Sequence, residues 1–319
     1  MHIFRKEFAV FGLAGVFQHF ITMTGTKQIR KTVNSVFFWL LVYNVLQLAL
    51  VLTGIFKNSP EGLDMLVVTL VGVALVYLVN IKKIDGNPFA VRKKMNARDF
   101  FTLFGIISIT QLLTLLIINT AKSSGAEGIS IDQSKNTLAM IIYAGFTGPF
   151  CEEMMFRGFA AGRLRKFGNI FAIVISSVAF GLMHGNLEQF VAACFAGMVL
   201  AFVFCEYSLI WALVYHIINN FVFGTLPELI FPNASSKITD TVSYSIFGVF
   251  AVYAIIQLIK RRGEISAWFK REDNVPQKGS FAGALTSIWF WVFVLIYVGV
   301  IVGMMLFPEA VSFIMSQGG

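Results

Sequence analysis

Long apolar stretches alternate with short polar connectors along this chain. Nine such runs follow residue 32: Val33–Phe56, Leu63–Ile81, Phe100–Thr120, Thr137–Ala160, Asn169–His184, Leu187–Cys205, Ser208–Phe223, Val242–Ile259 and Ala282–Phe307. A helix crosses the hydrocarbon core of a bilayer with about 20 apolar residues, so most of these runs predict spans. The fifth and seventh are short, which suits helices buried inside a bundle. Phe8–Met23 is interrupted by Gly12, Gly15, Gln18 and His19 and precedes Lys27, Arg30 and Lys31. It reads as a helix lying in the membrane interface.

The pattern therefore predicts an all-α fold, a polytopic transmembrane helical bundle of about 8–9 spans. Residues 1–32 form the interfacial segment and 33–260 the bundle. Residues 261–281 form a charged cytoplasmic linker, and 282–319 a last, peripheral span and tail. Asp85-Gly86-Asn87-Pro88 marks a turn. Polar loops are expected at Lys122–Asn136 and, with Pro227 and Pro232, at Gly224–Thr241. No internal repeat and no soluble domain is visible.

Composition agrees. Of 319 residues, 57% are hydrophobic and 13% charged, against about 25% charged in soluble domains; mean hydropathy is +0.76. A soluble globule is excluded. Arg5 and Lys6 precede apolar residues, but no small-residue cleavage pattern follows, so no removable signal peptide is expected. The net charge of +8 collects in alternate connectors, around Arg30, Lys82–Arg98, Arg163–Lys166 and Lys260–Lys278. That asymmetry puts these connectors inside and the C-terminus outside, in contact with anionic lipids. No nucleic-acid partner is indicated. Cys151, Cys194 and Cys205 read as buried small residues.

Three apolar runs carry ionisable interruptions. A charge at membrane depth costs roughly 2.5–3.5 kcal/mol on insertion scales, so Glu152, Glu153 and Arg157 together demand a use. Neighbours on a helix point about 100° apart, which gives the two glutamates different tasks. Glu153 and Arg157, four apart, share a face and form an ion pair. Glu152 is then free to face a cavity as a base. Gly148-Pro149 should break the helix and leave the acidic pair near the positive end of a half-helix. His184 follows Phe180 by four residues, and Asn220 follows His216 by four, so each pair shares a face. Antiparallel packing of the fourth and fifth runs brings Glu152 and His184 to one depth. Glu152 with His184 then reads as the base pair for a water, and His216 with Asn220 as donors for an oxyanion. Asn219 is expected to point off the site. Zinc held by two histidines and a glutamate is an alternative, although no HExxH pattern is present.

These residues carry a resemblance. Glu152-Glu153-x-x-x-Arg157, Phe180-x-x-x-His184 and His216-x-x-x-Asn220 resemble, in order, the three signatures of the CAAX-protease and bacteriocin-processing family, also called the abortive-infection family. The likeness covers about residues 137–224. It implies an intramembrane endopeptidase in which Glu152 and His184 act on a water and His216 and Asn220 on the oxyanion. Glu153, Arg157 and Phe180 are supporting residues and no cofactor is needed. It further implies a membrane-proximal peptide or protein substrate, such as a bacteriocin or pheromone precursor, or a role in self-immunity. A non-catalytic scaffold or immunity protein retaining the fold is the alternative. The cell membrane is the expected location; oligomeric state is not legible.

Overall fold

The computed structural model describes residues 2–60, 62–84, 86–123, 138–221 and 236–307, with side chains placed for all of these except 2–24, 115, 118–123 and 236–240. The described residues form helices joined by turns and loops, without a strand. The helices are α1 (His2–Leu52), α2 (Leu63–Asn80), α3 (Ala97–Ser123), α4 (138–164), α5 (Asn169–Met183), α6 (Leu187–Glu206) and α7 (Leu209–Asn220). They continue as α8 (Ser236–Lys260), α9 (Arg262–Lys270), α10 (Ser280–Leu285) and α11 (Ile288–Leu306). Among the described residues five segments are long and apolar enough to cross a membrane: Gly25–Leu52, Leu63–Lys83, Leu187–Glu206, Thr241–Lys260 and Ile288–Leu306. The protein is an integral membrane protein. As the run lengths required, α5 and α7 are short and lie within the bundle.

One correction concerns the N-terminus. The interfacial helix and the first span are one continuous helix. Between Thr24 and Val33 there is no proline, and a lone glycine such as Gly25 costs only about 1 kcal/mol in a helix. The side chain of His19 lies outside the described residues, as do most of the loops expected at 122–136 and 224–241.

Helix starts follow local chemistry. Asn96, Asn186, Ser208 and Ser287 each precede a helix, and each accepts with its side chain from the backbone N–H three residues on, at 2.8–3.3 Å. Each thereby satisfies a donor that has no partner within its helix. The core is aromatic. Phe156, Phe159, Phe171, Phe204, Tyr215 and Phe293 are fully buried. The last helix lies at the edge of the bundle and packs on α1, where Phe37 meets both Phe290 and Phe293 of α11 edge-on.

The basic end is a closed network rather than a loose linker. Asp99 accepts from Lys93, Tyr207 and Arg261 at 2.6–2.9 Å. Trp268 Nε1 donates to Glu206, which also pairs with Arg271. Asn169, at the start of α5, donates to Asn274 at 2.8 Å. Residues 261–279 thus strap α3, α5, α6 and α8 together at one end of the bundle.

Candidate active site

Helix α4 carries the acidic motif, and its winding is unusual. It is α-helical over Leu138–Ile142, widens to a π-helix over Tyr143–Thr147, and returns to α over Gly148–Glu152. It widens again over Glu153–Ala161. The break expected at Gly148-Pro149 does not occur. In an α-helix the proline ring collides with the carbonyl four residues back; the wider π turn relieves that contact. In the π register Gly148 N–H bonds to Tyr143 O, five residues back. The matching donor for Ala144 O would be residue 149, a proline with no N–H. Asn220 Nδ2 donates to that carbonyl instead, at 3.1 Å. Glu152 therefore sits in mid-helix, and the end-of-helix charge expected to favour it is absent.

Glu153 and Arg157 pair at 2.9 Å with both side chains 1% exposed. The guanidinium is further held by Gly197 O at 3.3 Å and by the face of Phe180, 4.4 Å from the ring centroid. Glu152 is 23% exposed, so it is the member of the acidic pair that a substrate can reach. His216 stands between the two carboxylates. Its Nδ1 is 2.8 Å from Glu153 Oε1 and its Nε2 is 3.4 Å from Glu152 Oε2.

His184 is placed differently from expectation. Its Nδ1 lies 2.8 Å from Phe180 O. A carbonyl only accepts, so Nδ1 carries a proton, and in the neutral ring Nε2 presents a lone pair. The structure thus brings His216, not His184, into contact with Glu152. Phe180 links the histidines, edge-on to His184 at 4.9 Å and to His216 at 5.8 Å. Gly181 lets this face form: a Cβ there would meet Phe190 O at 2.7 Å, so only glycine lets α5 and α6 approach this closely. Cys151 is fully buried.

Asn220 Oδ1 accepts from Asn219 Nδ2 at 3.3 Å, and Asn219 Oδ1 accepts from Gln111 Nε2 at 3.0 Å. Asn219 is therefore tied to the site rather than turned from it. Among the described residues no group of three His, Cys, Asp or Glu side chains is arranged to hold a metal ion. A separate cleft of about 510 Å³ opens at the basic end, lined by Arg92, Arg165, Lys166 and Glu272 among others. It contains none of the motif residues.

Residues 134–222 match the family of type II CAAX prenyl endopeptidases that are Rce1-like. That interval holds every acid, imidazole and amide of the three motifs. The segment is similar to that family over less than a third of the chain. It also resembles a protein of Bacillus subtilis (strain 168) named "Putative membrane peptidase YdiL", with 35% identity over 83 residues, 25% of this chain and 34% of that protein. The match thus spans about a third of the relative's length. No solved structure matches the chain.

Two residues outside the Rce1-like segment support it and were missed in the sequence. Tyr77 Oη donates to Met154 O at 2.7 Å, steadying the second π segment from α2. Tyrosine is common in apolar helices, so nothing singled it out. Gln111 did leave a signal, as an amide inside the apolar run Phe100–Thr120.

Proposed function

We propose that this protein is an intramembrane endopeptidase of the cell membrane, multi-pass, that hydrolyses a peptide bond by a glutamate-activated water. The observation that carries this reading is the mixed cluster Glu152–His216–Glu153–Arg157, with Glu152 its exposed end.

With His216 as the imidazolium, two carboxylates are balanced by one guanidinium and one imidazolium, and the buried cluster is neutral. Burial of unbalanced charge is costly, which favours that arrangement. Nδ1–H of His216 then donates to Glu153, and Nε2–H faces Glu152 and the water beside it. As a bond to the peptide carbonyl forms, negative charge develops on oxygen. Nε2–H of His216 and the second N–H of Asn220 are the donors for it. Glu152 takes one proton as the water attacks, while His184 Nε2 accepts a hydrogen bond that orients it. Glu152, once protonated, donates to the leaving amine. No metal enters this scheme.

A peptide or protein tail near the membrane is the substrate class, and bacteriocin or pheromone precursors, or defence against them, are the biological roles proposed. The test is peptide profiling of membranes that contain the wild-type protein or its Glu152→Gln variant at equal level. Cleaved peptides present only with the wild type support the reading. Identical profiles, with any cellular phenotype intact in the variant, would remove it.

A further inference from the structure

Three amides form a directed chain from α3 to α4. Gln111 Nε2 donates to Asn219 Oδ1, Asn219 Nδ2 donates to Asn220 Oδ1, and Asn220 Nδ2 donates to Ala144 O, at 3.0, 3.3 and 3.1 Å. The oxygen and nitrogen of an amide are nearly the same size, so only hydrogen bonding decides which way the group faces. Here the Ala144 end sets the direction. The last acceptor is a backbone carbonyl that lacks a helical partner because residue 149 is proline, so it can only receive a hydrogen. At the other end Gln111 presents N–H to Asn219, which forces Asn219 to present its own N–H onward. Asn220 then has its oxygen turned away toward Asn219. One N–H is spent on Ala144, and the second remains for a ligand.

We infer that Gln111 and Asn219 are positioning residues that lock the Asn220 amide with its donor face toward the reacting carbonyl. The inference rests on the reading that Asn220 stabilises an oxyanion. It adds a residue from α3, outside the segment 134–222, to the machinery of the site. It also gives Pro149 a purpose. By withholding a backbone N–H it leaves an acceptor that pins the far end of the chain.

The prediction is directional. Asn219→Asp keeps the size and still accepts from Gln111, but an ionised carboxylate cannot donate to Asn220. The Asn220 amide turns over and presents oxygen where a donor is needed. Asn219→Leu only removes the lock. Loss of one oxyanion donor costs about 10²–10³ in turnover. With the full-length protein in nanodiscs and a peptide identified by the profiling above, Asn219→Asp is expected to lower kcat about 100-fold, with KM within about 2-fold. Asn219→Leu is expected to lower kcat about 10-fold less. Gln111→Glu, farther from the chemistry, should reverse the chain in the same sense, and Gln111→Leu should mimic Asn219→Leu in an apolar setting that tolerates it. Equal kcat for Asn219→Asp and Asn219→Leu, or no loss in any of the four while Asn220→Ala is inactive, overturns the positioning role and leaves the peptidase reading intact. Unchanged hydrolysis by Glu152→Gln overturns both.

Discussion

The His216 imidazole is held by Glu153, Nδ1 to Oε1 at 2.8 Å. Glu153 in turn is the partner of Arg157. One acid therefore supports both an ion pair and the orientation of a histidine, while its neighbour Glu152 stays open to a substrate. The two glutamates should separate cleanly by mutation. Glu153→Gln leaves a fully buried guanidinium unpaired, which costs about 3–5 kcal/mol. Glu152→Gln removes a partly exposed carboxylate and should leave stability within about 1 kcal/mol, yet lower hydrolysis by at least about 100-fold. Thermal unfolding in detergent, run beside a cleavage assay, distinguishes them. A stable Glu153→Gln would contradict the pairing.

The second π segment is steadied from α2. Tyr77→Phe removes the hydroxyl from Met154 O and should cost about 1–3 kcal/mol, the penalty for stripping a buried polar group of its partner. Gly158 is the adjacent test. A Cβ there would collide with the Tyr77 hydroxyl, so Gly158→Ala should push the ring away and lose at least as much. In the double variant Tyr77→Phe, Gly158→Ala the two losses should not add, because the first removes the atom that the second displaces. Melting curves of the three variants decide the point.

Much of this was legible in the apolar and polar pattern. The run boundaries fell within a few residues of most helices, because lipid demands long apolar segments and punishes interruptions. The Glu153–Arg157 pair followed from i,i+4 spacing alone. Three features were not legible. The α4 helix survives Pro149 because it widens, and spacing rules assume 3.6 residues per turn. The pairing of His216 with both glutamates depends on how α7 rotates against α4, which no motif encodes. The strap formed by residues 261–279 looked like a linker because the contacts that tie it to the bundle are made across the fold. Its Asp99, Tyr207, Glu206 and Arg271 contacts join residues far apart in sequence.

That strap predicts an acid sensitivity. Burial alone would raise the Asp99 carboxyl, but hydrogen bonds from Lys93, Tyr207 and Arg261 outweigh it and hold the group at about 2, below its ordinary 3.8. A depressed carboxylate stabilises the fold above its unfolded value. That contribution is lost as pH falls through the folded one. Because Lys93 is half exposed, the effect is discounted to about 1–2 kcal/mol. Asp99→Asn should therefore melt below the wild type above pH 4, with the gap closing between about pH 4 and pH 2. A gap that stays constant over that window would show that Asp99 is not ionised in the folded protein.

The metal-free mechanism makes the last prediction. Both nitrogens of His216 face carboxylates, at 2.8 and 3.4 Å, and His184 Nδ1 is committed to Phe180 O. A zinc site needs neutral imidazole lone pairs converging with a carboxylate. Here His216 Nε2 faces Glu152, and among the described residues no three such side chains converge on one point. In the proposed scheme Glu152 takes the proton from the water directly. Hydrolysis by purified protein should accordingly survive prolonged treatment with EDTA and with 1,10-phenanthroline within about 2-fold, as for a base-catalysed step that no ion assists. Complete loss of activity, restored by one equivalent of zinc per chain, would replace the glutamate-activated water with a metal-bound one.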